Sequence, residues 1–252
     1  FFMCYWFHGP NLAGAHRLGR RGDTSISNAD GDGFAEMDVK LKEMLQLLKD
    51  EGIEENTLVI VMADNGPMLE FTPHMSRFGI YRGGKGAFTE GGVRVPAFAY
   101  WPGTIEAGSV VGDIIHVTDF YTTFARLGGG MNHIPTDRVI DGVDQTALLL
   151  NGDAHGRRDY VHIYTGPVLA ATVKQQFKRH WIGERPGLAG KSFFDLYKDP
   201  REEEGRMAQF LWAWEPFDSM RMRHLALMEE YPNTPTKRAE PFGGIELMYP
   251  AQ

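Results

Sequence analysis

Two stretches of the chain carry apolar residues at helical spacing. In "FAEMDVKLKEMLQLLKDEG", Met37, Leu41, Met44, Leu45 and Leu48 fall on one face, with Lys40, Glu43 and Lys49 on the other. Gly52 is placed to stop that helix. The second stretch, about 217–231, lines up Met220, His224, Leu227, Met228 and Tyr231 between Pro216 and Pro232, which makes His224 a core histidine. Between them the pattern is strand-like. Phe1–Phe7 is aromatic and ends at Gly9-Pro10, predicting a strand. Leu58–Met62 is continuously apolar and β-branched, as in a parallel sheet buried on both faces. Helix, short loop and buried strand make half a βαβ unit. Val93–Tyr100 predicts another strand, ended by Pro102-Gly103. "HVTDFYTTFARLGGG" predicts a short helix with Thr118 as its cap and Gly128 as its end. "DGVDQTALLLNG" reads as a turn plus a short apolar segment. Residues 12–33 and 66–92 are glycine-rich and aperiodic, and the "RGD" at Arg21–Asp23 is loop chemistry.

After about residue 155 the texture changes. "YVHIYTG", "LAATVKQQFKRHWIG" and "KSFFDLYKDP" are short pieces set apart by turn residues, which predicts a small antiparallel sheet. The expected organisation is therefore a larger α/β unit over 1–154 and a small α+β subdomain over 155–252.

Composition narrows the functional classes. With 252 residues and 42% hydrophobic content, the chain can build a sizeable core. A net charge of −7 with no basic block argues against a nucleic-acid partner. No apolar run reaches the length of a membrane span. Cys4, the single cysteine, excludes an internal disulfide. "FFMCYWFHGP" has neither an initiator Met nor a charged n-region, so we expect the C-terminal part of a longer chain; a processed chain is the alternative.

Candidate chemistry concentrates in two segments. "LVIVMADNGP" runs an apolar strand into Asp64-Asn65-Gly66-Pro67. Asp-Asn-Gly makes a good turn, and it also offers a carboxylate and an amide oxygen to a metal. "YRGGKGAFTEGGVRVP" sets Lys85 between Gly84 and Gly86. Glycines let backbone N–H groups approach a ligand, and a lysine there aims a compact positive charge at an oxyanion such as phosphate or sulfate. A flexible loop with a solvated lysine is the other reading. The segment is not a P-loop, because Ala87 follows Gly86 where Lys-Ser/Thr spacing is required.

Together, "ADNGP", "RGGKG", "EGGVRVP" and "WPG" closely resemble the sulfatase family of the alkaline-phosphatase-like superfamily. "GIEENTLVIVMADNG", "VTDFYTTFARLGG", "IDGVDQTALLLNG" and "FFDLYKDPREE" continue the likeness in family order. The resemblance implies an alkaline-phosphatase-like mixed or parallel sheet flanked by helices, followed by a small antiparallel subdomain with a terminal helix. It implies hydrolysis of small-molecule or carbohydrate sulfate esters by a formylglycine nucleophile and a divalent cation, usually Ca²⁺. Asp64 and Asn65 then match two metal ligands, and Lys85 matches the lysine that holds a sulfate oxygen. Glu90 and Arg94 match family positions that support the glycine-rich turn. A periplasmic or secreted location is what the resemblance favours; oligomeric state stays open.

Three departures accompany the likeness. Cys4 is followed by Tyr5-Trp6-Phe7-His8, not by the family's formylglycine motif, so the nucleophile and the remaining metal ligands are expected upstream, and this chain alone should not turn over sulfate esters. Aligned on Phe1-Phe2, the family's active-site histidine falls on Asn11, which cannot serve as a general acid; His8 is the nearest imidazole. Residues 66–80 match no family segment, which makes His74 and Arg77 candidate substrate contacts or ordinary loop residues. Two other readings stay open: a phosphodiesterase or phosphonate hydrolase of the same superfamily, and a non-catalytic sulfatase-like protein that binds sulfated ligands.

Overall fold

A computed structural model describes residues 1–7, 29–70, 79–183, 192–205 and 209–232. Helix α1 (Ala29–Asp50) turns Leu41, Met44, Leu45 and Leu48 inward, half-buried, and leaves Glu43 and Lys49 exposed, as its apolar spacing dictates. A short 3-10 turn (Glu54–Asn56) leads into β1 (Val59–Met62). After the glycine-rich loops, one helical turn α2 (Glu90–Val93) precedes β2 (Ala97–Tyr100). Then come α3 (Asp119–Leu127), a second 3-10 turn (Met131–His133) and α4 (Thr146–Asn151). The chain continues as β3 (Tyr160–Thr165), β4 (Val168–Lys174), β5 (Phe177–His180) and β6 (Phe193–Asp195), and α5 (Leu211–Glu230) follows.

The α/β class holds, with helices flanking strands and a separate antiparallel sheet after residue 155. That second sheet is a four-stranded meander in the order β3-β4-β5-β6, with a register shift at Ile163/Tyr164. Helix α5 covers it: Phe193, Ala213 and Phe217 form the buried centre, ringed by Phe177, Trp181, Phe210, Trp214 and Met220. Arg179 adds to the seam, lying over the rings of Trp181 (4.3 Å) and Trp214 (4.6 Å) and bonding Asp218 at 2.9 Å.

Several local expectations are corrected. Phe1–Phe7 is not a strand; it has no regular structure, and Phe1 and Phe2 are 90% and 74% exposed. Aromatic content raises β-propensity, but a strand also needs an edge to pair with, and none of the described strands takes it. Among the described residues β1 has no parallel neighbour: it pairs antiparallel with β2, Val59 opposite Tyr100, and Phe98 is 56% exposed. The strand expected from Val93 begins at Ala97, because residues 90–93 close a helical turn first. The last helix starts at Leu211 and runs through Pro216, which lies inside the helix and removes one backbone donor without ending it. His224 is half-buried and not a plain core residue: its ring lies 4.2 Å from that of His162, and its Nε2 meets the Tyr164 hydroxyl. Burial and the neighbouring His224 push His162 down to about 4. Thr118 precedes α3 without capping it; its hydroxyl meets His116 Nδ1 at 2.9 Å.

What fastens α3 is Asp119, whose side chain has no solvent exposure. It accepts the N–H groups of His116 (2.9 Å) and Val143 (2.8 Å), and Arg158 grips it from Nε (2.8 Å) and Nη2 (2.5 Å). One carboxylate thus joins α3, the 141–145 turn and the entry to β3. Burial alone would raise its pKa. The Arg158 bonds and the two backbone N–H groups outweigh burial and hold it below the ordinary 3.8. Asp119→Ala should therefore cost about 3–5 kcal/mol in urea unfolding, as expected when a buried arginine loses its partner. Because the folded pKa is depressed, this contribution should be complete above the ordinary carboxylate range and disappear as pH falls through the lowered value, a loss the Asp119→Ala variant should lack.

Candidate active site

β1 delivers the first segment of the site. Its pairing continues one residue past the strand, Ala63 N–H to Pro96 O at 3.3 Å, and the chain then bends through Asp64-Asn65-Gly66. Gly66 is required here: a Cβ on it would stand 1.8 Å from the carbonyl oxygen of Gly91. With no side chain in the way, Gly66 N–H reaches Gly92 O at 3.1 Å. At the next residue, Pro67 O accepts the N–H of Lys85 at 2.9 Å. These two backbone bonds lock the Asp-Asn-Gly-Pro turn onto the glycine-rich loop.

The loop has its own closure. Ala87 N–H bonds Gly84 O at 2.9 Å, which makes Gly84–Ala87 a tight turn. Gly86 occupies the third position with φ +88°, a conformation that L side chains rarely adopt, and Lys85 sits exposed at the tip beside it. Thr89 Oγ1 and Gly91 N–H both bond Arg82 O, at 2.7 and 2.8 Å, so the loop returns to its own start as α2 begins.

The structure therefore brings Asp64, Asn65 and Lys85 onto one backbone-stitched unit. Asp64 is exposed and Asn65 half-buried. Asn65 spends its amide Nδ2–H on Gly66 O at 2.8 Å, which leaves the side-chain oxygen as its free acceptor. The segment bends the chain, as its turn chemistry predicts, and it carries a carboxylate and an amide oxygen. Those hard oxygen donors suit a cation such as Ca²⁺ in kind. They do not complete a coordination shell, since no group of three His, Cys, Asp or Glu among the described residues is placed to hold a metal. His8, Asn11, His74 and Arg77 lie outside the described residues.

Glu90 supports the glycine-rich turn, as expected, but through a partner set that the sequence reading missed. Its carboxylate bonds Lys178 Nζ at 3.0 Å, and its N–H bonds Glu202 Oε1 at 2.6 Å. Arg94 stands 3.8 Å from the same carboxylate and over the Tyr81 ring. Lys178 and His180 alternate on one face of β5, and both meet Glu202. A lysine and a histidine two apart in a short strand normally signal a solvated face, so nothing local marked them as buried.

A match to the Sulfatase family covers residues 10–130. The chain is 32% identical over 249 residues to steryl-sulfatase of Rattus norvegicus, covering 83% of this chain and 42% of the relative. It is 36% identical over 184 residues to N-acetylgalactosamine-6-sulfatase of Mus musculus, covering 71% of this chain and 34% of the relative. The crystal structure of the PsFucS1 sulfatase from Pseudoalteromonas sp. superposes with a TM-score of 0.72 at 33% identity, over 85% of this chain and 46% of that one. The chain thus spans less than half the length of these relatives. The stitched turns, the sequence identity and the shared fold agree: this chain belongs to the sulfatase family.

Proposed function

We propose that the full-length protein is a sulfuric ester hydrolase and that this chain supplies one side of its active centre. The observation that carries this reading is the backbone lock between Gly66–Pro67 and Lys85–Gly92, which sets two hard oxygen donors and one lysine on a single rigid unit. Asp64 and Asn65 hold a divalent cation, with Ca²⁺ the best match to a carboxylate and an amide oxygen. When bound, that cation polarises a sulfate oxygen and the nucleophile beside it. Lys85 binds a second sulfate oxygen and offsets the charge that develops as the S–O bond breaks. The Pro67 O bond fixes the Lys85 backbone beforehand, which sets where its side chain starts. The nucleophile, formylglycine by family analogy, comes from polypeptide beyond these 252 residues, since Cys4 lies in no such motif. The family's histidine position, from which the leaving oxygen takes its proton, falls on Asn11, which cannot donate one; His8 is the nearest imidazole that can. The substrate class is a sulfate ester of an alcohol, phenol or sugar, in keeping with relatives named for steryl and N-acetylgalactosamine sulfates.

Asp64→Ala in the full-length protein should abolish calcium binding in calorimetry together with aryl sulfate turnover; unchanged activity would contradict the metal assignment. Lys85→Ala should lower kcat about 10²- to 10³-fold, the size expected for loss of one preorganised charge. Asn11→His and His8→Ala separate a decayed donor position at Asn11 from a donor role for His8. If Asn11 holds the position, Asn11→His raises kcat at least tenfold and His8→Ala changes little. If His8 holds it, His8→Ala removes most activity and Asn11→His has no effect.

A further inference from the structure

The glycine-rich loop buries almost no apolar side chain, so its rigidity needs another source. That source lies behind it. Lys178 on β5 has no solvent exposure and bonds two carboxylates, Glu90 Oε1 at 3.0 Å and Glu202 Oε2 at 3.3 Å. His180, two residues along the same strand, bonds Glu202 Oε2 at 2.5 Å, its ring edged by Phe88 and Phe194. Glu202 spends its other oxygen on the N–H of Glu90, at 2.6 Å. Burial alone would raise the Glu202 pKa; the His180 bond, the Lys178 charge and the Glu90 N–H outweigh it and keep the carboxylate ionised. Glu202 also holds φ at +55°, a strained conformation for a side chain of this kind, and such strain persists where the surroundings over-determine it.

From Glu90 the fixing passes straight into the candidate site. Glu90 opens α2; the next two residues, Gly91 and Gly92, bond Arg82 O and Gly66 N–H, and Lys85 lies between those anchors. The geometry points to Glu202, aided by Lys178 and His180, as the positioning group for Lys85: the buried charge cluster of the C-terminal sheet sets where the loop lysine stands. All three side chains are buried, so they act through Lys85 and not on substrate. This inference rests on the reading of Lys85 as the sulfate-binding lysine.

The test uses the full-length protein, with Glu202→Gln and, as a second variant, Glu90→Gln, which keeps the backbone bond to Glu202 but cuts the charge pair with Lys178. Hydrogen exchange followed by mass spectrometry should show peptides over 63–70 and 82–94 exchanging at least tenfold faster, with 168–174 unchanged. In aryl sulfate kinetics kcat should fall at least tenfold with KM within about twofold, and Glu202→Gln combined with Lys85→Ala should lose no more than Lys85→Ala alone. Unchanged exchange in the two loop peptides overturns the inference, as do losses that multiply in the double variant. Loss of protection throughout both variants overturns it too, because the cluster would then hold the whole fold. A Lys85→Ala enzyme at full rate refutes the functional reading instead, and the exchange data still decide whether the cluster positions the loop.

Discussion

A lysine with no access to water must be paired or it will not stay charged. Lys178 meets that constraint with Glu90 and Glu202, and each of those carboxylates belongs to a different part of the chain. Pairing Lys178 therefore does more than satisfy a charge. It fixes β5 against α2, and through α2 it fixes the two loops that carry Asp64, Asn65 and Lys85. Buried ion pairs are a poor source of net stability, since desolvation consumes most of the attraction. Their directional demands suit another purpose, which is to hold one arrangement and exclude others that are close in energy. The apolar seam of Phe193, Ala213 and Phe217 holds α5 to the sheet but has no such selectivity for the loop.

The same division of labour recurs at Asp119. Its carboxylate, with no exposure to water, gathers two backbone N–H groups and the Arg158 guanidinium and so ties three segments together. Glycine-rich and turn-rich stretches cannot be located by hydrophobic burial. Backbone bonds made possible by absent side chains, and charges that tolerate only one set of partners, locate them instead. Gly66 shows the first device, with its N–H drawn onto Gly92 O where any Cβ would collide with Gly91 O. Glu202 shows the second.

What could be read from the sequence follows from the range of the interactions involved. The faces of α1 follow from spacing within one helix, and the Asp64–Pro67 turn follows from turn chemistry within four residues. The antiparallel meander after residue 155 was legible from short apolar pieces between turn residues. The cluster was not, because the bonds from Glu90 to Lys178 and Glu202 span 88 and 112 residues. Nor was the true pairing of β1, since a continuous apolar run is compatible with a parallel or an antiparallel neighbour, and Phe1–Phe7 has aromatic propensity without a partner edge. Pro216 misled in the other direction, marking a boundary where α5 passes through.

Sulfate ester chemistry at these loops, as proposed, has its sharpest rival in phosphoryl chemistry on the same superfamily scaffold. Both use a lysine and a divalent cation, so substrate preference separates them better than any single residue. The direct measurement is kcat/KM of the full-length protein on 4-nitrophenyl sulfate and on bis(4-nitrophenyl) phosphate, under identical metal conditions. The account predicts release of inorganic sulfate and a preference for the sulfate ester of at least a hundredfold. Equal or faster turnover of the phosphodiester would contradict it.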